Sequence, residues 1–204
     1  MESLYIQSFC TLRNGTIRLN GEPIYGTSEN TPVDDFLRSA YRQLHVDYPK
    51  FHKMDVLCKA TFLATELMAR DAGPYPIDTA LIFANRSSSY SSDEKHATGI
   101  YATQNPGASP ATFVYTLPNI AMGEISIRHQ LHSENVFFIF DSYLPEFLVP
   151  YTATALYDKQ VQQGLCGWTE VTATLCDVLM YRVGRSGSWA HTVANLKRLY
   201  NDHE

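Results

Sequence analysis

Positive charge is scarce in this 204-residue chain, and nowhere in the sequence is it gathered: 16 lysines and arginines face 21 aspartates and glutamates, for a formal net charge of −5. A nucleic-acid binder needs a basic patch or stripe, and no lysine/arginine cluster supplies one. Long apolar runs are missing too; none approaches the ~20 residues needed to span a bilayer, so no membrane segment is expected. The opening MESLYIQSFCTLRNG lacks a basic start, a long apolar core and a small-residue cleavage site, and reads as a first strand rather than a signal peptide. Cysteine is sparse: Cys10, Cys58, Cys166 and Cys176 form no CxxC pair and read as reduced thiols of a cytoplasmic protein. The spacing of Cys166 and Cys176 gives no zinc motif. Repeats, low-complexity tracts and linkers are absent, so residues 1–204 read as one domain.

Apolar residues make up 45% of the chain and charged residues 18%, which suits a globular domain large enough to bury a core. Thirteen tyrosines and ten phenylalanines add aromatic surface for cores and interfaces. LYIQSFCTLRNGTIRLNG reads as short strands around Asn14-Gly15 and Asn20-Gly21, both strong turn dipeptides. TPVDDFLRSAYRQL opens a helix with Thr31 as N-cap, Pro32 at the first helical position and Asp34 and Asp35 in the first turn. KMDVLCKATFLATELMARDAG carries a broad helical stripe that Gly73-Pro74 ends. DTALIFANRSSS is a buried strand entering a polar loop, and NPGASPATFVYTLPN is irregular. PNIAMGEISIRHQL resumes helical spacing near Pro118. NVFFIF is a second buried strand, and LPEFLVPYTATALYDKQVQQG a second long helix. LCGWTEVTATLCDVLMYRVGR offers two more strands, and SGSWAHTVANLKRLYNDHE an amphipathic final helix. This alternation predicts an α/β domain with a largely parallel sheet and an antiparallel tail.

NVFFIF stops at Asp141-Ser142 before a new helix, the kind of place where α/β enzymes hold a nucleophile against unpaired helix N–H groups. The same residues suit a plain helix cap with Pro145 in the first turn. There is no G-x-S-x-G elbow. Gly123 interrupts a helical pattern at a cost of about 1 kcal/mol against alanine, which points either to a close approach by backbone or ligand or to plain helix packing. His129, His132 and Glu124 lack a further convergent ligand, so no metal is expected. NRSSSYSSDEKH lacks the glycine pattern of a phosphate loop and reads as an exposed loop with a helix cap near Ser92-Asp93.

From about Met54 to Glu170 the chain resembles the N-terminal half of β-ketoacyl-acyl-carrier-protein synthases, members of the thiolase-like superfamily. KMDVLCKATFLATELMARDAG looks like the ketosynthase helix that begins at an Arg/Lys-Met-Asp triplet and ends near Asp-Ala-Gly. TALIFANRSSS resembles the strand and loop reading "vgvv.gt..g". SPATFVYTLPNIAMGEISIRHQLHSEN matches the family's serine-proline, asparagine, glycine and "iry.l.GPs" positions in one register, with Asn119 and Gly123 on family positions. Carried forward without a gap, that register puts Ser142 on the catalytic cysteine's position, and Gly167 and Glu170 on the later "GG.E" signature.

The resemblance implies one α/β half of a thiolase-like architecture: a mixed, mostly parallel sheet of about five strands with helices on both faces. It also implies what is missing. The family's "TACSS" reads FDSYL here, and no segment stands in for the half that carries the two catalytic histidines. A serine without an adjacent base is a poor nucleophile. The expected role is therefore a non-condensing subunit, similar in logic to a chain-length factor, in fatty-acid or polyketide/aryl-polyene-type biosynthesis, with no cofactor. Phe137, Phe138, Phe140, Tyr143, Asn119 and Gly123 would contact the acyl chain. The helix LPEFLVPYTATALY, apolar nearly all round, implies a partner, either a ketosynthase-like protein or a second copy, with acyl carrier protein as a further partner. Two rivals stay open: an acyltransferase or thioesterase using Ser142 with His96 or His129 as base, and a structural homodimer without a ligand site.

Overall fold

Asn14 and Gly15 take left-handed backbone angles (φ 48° and 69°), as do Asn20 and Gly21 (φ 52° and 92°), the conformation a two-residue hairpin turn demands. They fold the beginning of the chain into a meander of β1 (Tyr5–Arg13), β2 (Thr16–Leu19) and β3 (Glu22–Gly26). The structure is a computed structural model and describes residues 3–28, 30–104, 106–157 and 161–202. Parts of the expected first strand (residues 1–2), of the irregular stretch (105), of the second long helix (158–160) and of the last helix (203–204) lie outside the described residues.

After the meander come α1 (Val33–Gln43), a 3₁₀ turn (Pro49–Lys53), α2 (Val56–Ala72), β4 (Ala80–Asn85), α3 (Tyr90–Ile100), α4 (Pro110–Val114) and α5 (Ile120–His129). Then follow β5 (Asn135–Ile139), α6 (Pro145–Ala155), β6 (Gly164–Val171), β7 (Cys176–Gly184), β8 (Trp189–Ala190) and α7 (Val193–Asn201). Thr31 does not cap α1; Pro32 occupies the cap position with extended angles and no side-chain bond. The serine-rich stretch is a loop only as far as Ser89, which rather than Ser92-Asp93 stands at the cap of α3. Its one buried residue, Ser92, leaves no apolar stripe to betray it.

Among the described residues the strands form one eight-stranded sheet in the order β3-β2-β1-β7-β6-β4-β5, with β8 alongside β1. The sheet is mixed, as expected, but neither five-stranded nor mostly parallel. Only β4–β5 and β4–β6 pair in parallel, and the other five pairings are antiparallel. The reason is connectivity: hairpins join β1 to β2, β2 to β3 and β6 to β7, and the first strand returns to lie beside β7. NVFFIF was expected buried, yet β5 is the edge strand, with no partner on its outer side among the described residues.

Helices cover both faces. On one face α1, α2 and α5 pack over Leu12, Leu81, Phe83, Leu165 and Met180. On the other, α6 and α7 pack over Ile82, Cys166, Trp168, Leu179 and Tyr181. The helix buried nearly all round is α2, with every residue from Leu57 to Met68 buried. The carbonyls at its C-terminal end are gathered by the buried Arg182, which donates to Gly73 O (2.7 Å) and Pro74 O (3.3 Å). The helix expected to be buried all round, α6, buries only Pro145, Leu148 and Thr152. Its inner side is covered by α7 through Leu196 and Leu199, while Leu144 and Phe147 remain open to solvent.

Candidate functional site

The three parallel strands β4, β6 and β5 end at Asn85, Val171 and Ile139 on one edge of the sheet, the edge where open α/β sheets hold their ligands. The loop leaving β4 is fixed in two ways. The Asn85 side chain accepts from Ser88 N (2.9 Å) and donates to Ser88 O (2.8 Å), holding Ser88 in a left-handed turn (φ 51°). Glu170, at the end of β6, accepts from Arg86 N (2.8 Å), Ser87 N (3.0 Å) and the Ser87 hydroxyl. Its carboxylate is thus fully used in shaping the loop. Gly167, three residues earlier, faces Met180 across the sheet, and a Cβ there would lie 2.2 Å from Met180 Sδ.

Ser142 follows β5 on this same edge. It is exposed, and it does not cap α6: that position belongs to Leu144, without a side-chain bond. Neither Asp141 nor Ser142 makes a side-chain hydrogen bond among the described residues, so the cap expectation fails along with any visible activation of the hydroxyl. The two histidines weighed as bases are engaged elsewhere. His96 lies on α3 with its ring 5.6 Å from that of Phe113. His129 Nε2 sits 3.0 Å from Glu66 Oε1, off the line a good hydrogen bond requires, with its ring against Tyr75. Burial alone would raise the Glu66 carboxyl, but His129 and Arg128 outweigh it and hold it down to about 2.

The aromatic residues expected to wall an acyl site divide between the two sheet faces, because successive side chains on a strand point opposite ways. Phe137 packs on the α2/α5 side, edge-on to Phe83. Phe138 and Phe140 pack on the α6 side with Phe147 and Tyr151, ring centroids 5.0–5.5 Å from one another for Phe138 with each neighbour. Tyr143 turns inward on that side between Trp168 and Tyr200, and burial pushes its hydroxyl well above the usual tyrosine range. Beside it Asp177 accepts from Arg13 Nε (2.6 Å), Trp168 Nε1 (3.1 Å) and Tyr200 hydroxyl, tying α7 to the end of the sheet. That knot was not visible in the sequence; its members are up to 187 residues apart, counting the Arg13 bond to Tyr200 O.

Asn119 and Gly123 lie together on the outer face of α5, one turn apart, with Ile127 (63% exposed) one turn further. Among the described residues, the helix's own backbone aside, nothing comes within 4 Å of a Cβ built on Gly123. Plain packing within the chain therefore does not explain this glycine. Gly123→Ala should raise the stability of the isolated chain by about 0.5–1 kcal/mol, read as a higher urea midpoint at unchanged m-value. A loss of stability would mean that the added methyl group meets another part of the chain at this position.

Among the described residues no group of three or more histidine, cysteine, aspartate or glutamate side chains could hold a metal, and no helix is long and apolar enough to cross a membrane. All four cysteines are free. No protein-family model matches the chain, and a search of curated proteins returns no relative. Solved structures do share the fold. A ketosynthase (ApeO) in complex with its chain length factor (ApeC) from Xenorhabdus doucetiae aligns with TM-score 0.59 and 13% identity, over 91% of this chain and 80% of the matched one. The ishigamide ketosynthase/chain length factor gives 0.61 and 12%, over 89% and 62%. A type II PKS acyl-carrier protein in complex with its ketosynthase bound to the hexaketide (AntDE:AntF) gives 0.63 and 10%, over 90% and 62%. The chain thus spans less than two thirds of the last two matched chains. Its fold is that of these ketosynthase and chain length factor structures, as the resemblance read from about Met54 to Glu170 implies.

Proposed function

We propose that this thiolase-like chain is a non-condensing, chain-length-factor-like subunit of a fatty-acid or polyketide-type pathway, aryl-polyene formation included. The observation that carries the reading is Ser142. It stands where the resemblance places the nucleophile, in a ketosynthase/chain-length-factor fold, yet it is exposed and has no base or other side-chain partner among the described residues. A serine hydroxyl in that setting stays protonated and attacks poorly.

The partner best supported is a ketosynthase-like chain. β5 offers an unpaired edge with Ile139 51% exposed, an arrangement that invites another strand. Around the sheet, Ile127, Leu117, Phe113 and Phe147 are exposed as well. Two of the neighbouring structures are a ketosynthase with its chain length factor. Acyl carrier protein follows as a second partner, by analogy with the third. In such an assembly Phe138, Phe140 and Tyr143 would line an acyl chain on the α6 side, and Phe137, Asn119 and Gly123 would serve the α5 side. The four free thiols suit a cytoplasmic setting.

The test is intact mass after incubation with acyl- and malonyl-loaded carrier protein, run beside Ser142→Ala. The expected result is no covalent adduct on either protein and no condensation by the chain alone. A stable acyl adduct that Ser142→Ala abolishes would overturn the reading and make Ser142 an acyl-transfer nucleophile.

A further inference from the structure

The N-termini of α2 and α3 open into one depression. Asp55, which caps α2 by accepting from Cys58 N (2.8 Å), also accepts from the Ser92 hydroxyl in the first turn of α3 (2.8 Å), so the two ends are pinned side by side. The depression, about 260 Å³, is lined by Arg38, Lys53, Lys59 and Lys95 against only two carboxylates, Asp34 and Asp55. Both carboxylates are already taken. Arg38 and Lys59 close on Asp34, whose carboxyl they hold below its ordinary value against the opposing effect of burial, and Asp55 serves the two helix ends. Lys53 and Lys95 are exposed and make no ion pair among the described residues. Ser91, which also lines the space, has a hydroxyl buried without a partner. In a chain of net charge −5 this is a local reversal of sign, reinforced by the positive ends of two helix dipoles.

A second, adjoining depression shares Lys53, Met54, Asp55, Ser92 and Lys95 and continues past Ala111, Thr112 and Tyr115. The two lysines thus stand where a charged recess meets a neutral arm. Two uncompensated cations match a dianion, and a phosphate monoester carries about −1.5 to −2 at pH 7. Lysine suits phosphate as a point charge, and a neutral arm suits whatever the phosphate is attached to. A recess below the roughly 300–1,000 Å³ of drug-sized sites fits a phosphate group rather than a large ligand.

We propose that this groove binds a phosphate monoester, with the phosphate between Lys53 and Lys95 at the paired helix ends and the organic part along Ala111, Thr112 and Tyr115. The site is independent of Ser142 and of the reading of the chain as a subunit. Calorimetric titration of the full chain with inorganic phosphate and with butyl phosphate, each at constant ionic strength, tests it. Both should bind, butyl phosphate more tightly and with a Kd near or below about 1 mM. Replacing both lysines (Lys53→Ala with Lys95→Ala) should weaken both ligands at least about tenfold, while Lys197→Ala, on the remote α7, should weaken neither. Because Lys53 and Lys95 are exposed, the double variant should keep its fold, checked by an unchanged circular dichroism melt. Ala111→Trp, filling the arm, should weaken butyl phosphate alone. Absence of binding, binding indifferent to the two lysines, or an arm whose filling leaves butyl phosphate unaffected would each overturn the proposal.

Discussion

Replacing Asp177 with alanine lowers the stability of the chain by about 3 kcal/mol and loosens α7 from the sheet. Three donors converge on that carboxylate: Arg13 Nε at 2.6 Å, Trp168 Nε1 at 3.1 Å and the Tyr200 hydroxyl. Arg13 is only 10% exposed at its side chain and also lies over the Tyr200 ring, 4.1 Å from its centroid. With the carboxylate gone, a largely buried guanidinium is left without its counter-charge, and the loss exceeds the worth of an exposed pair many times over. For a domain of this size the melting temperature should fall by about 6–12 °C. Asp177→Asn keeps one acceptor but not the charge, and should recover only part of that loss. Hydrogen exchange separates a local from a general effect: amides of α7 should lose protection before those of β6. If Asp177→Ala melts within about 2 °C of the parent chain, the knot does not hold α7.

The second large effect is on assembly. Ile139→Lys combined with Ile127→Lys should raise the dissociation constant of the proposed complex with a ketosynthase-like chain by at least about 100-fold, with stability of the free chain changed by no more than about 0.5 kcal/mol. Both isoleucines are more than half exposed, at 51% and 63%, so the free chain loses little packing. A lysine on an edge strand is one of the devices by which proteins discourage strand addition, and a charge buried in an apolar interface is left unpaired. Sedimentation of the mixed chains reads the result directly. If the double variant associates normally, the partner sits elsewhere. If the parent chain pairs only with itself, and through these residues, the homodimer becomes the right description.

Local signals carried most of the element reading. Asn-Gly pairs can hardly be anything but tight turns, because both residues tolerate left-handed angles, and so the β1–β2–β3 meander was legible. Asp55 and Gly73 bracket α2 for equally local reasons. What failed was non-local. NVFFIF looks the same whether neighbours flank it on both sides or on one, so its edge position was hidden. The parallel bias was overestimated because β1 pairs with β7, a contact that nothing near either strand announces. A helix start near Ser92-Asp93 was legible but its onset at Tyr90 was not, because Ser92 is the one buried residue of α3 and leaves no apolar stripe.

The site divides in the same way. Ser142 at a strand end was legible from the order of elements. Its lack of a cap bond was not, since the helix starts at Pro145 with Leu144, rather than Ser142, in the cap position. A lysine search along the sequence finds no cluster, yet folding brings Lys53 and Lys95 to one recess. Their meeting depends on two helix ends pinned by one aspartate, information carried by the tertiary structure alone.

The position of β1 also sets the order in which the molecule can be made. It lies inside the sheet, between β2 and β7, and its register with β7 pairs residues as far apart as Tyr5 and Gly184. A ribosome adding ~5–20 residues per second releases β1 many seconds before its long-range neighbour exists. Throughout that interval the meander exposes one edge of β1, with Phe9 and Leu12 awaiting cover. Closing a loop of more than 160 residues is entropically late, and proteins dominated by such pairings fold slowly. The nascent chain therefore passes through a state in which its future sheet centre is an open edge, and truncation before Cys176 should yield an aggregating product rather than a smaller folded one.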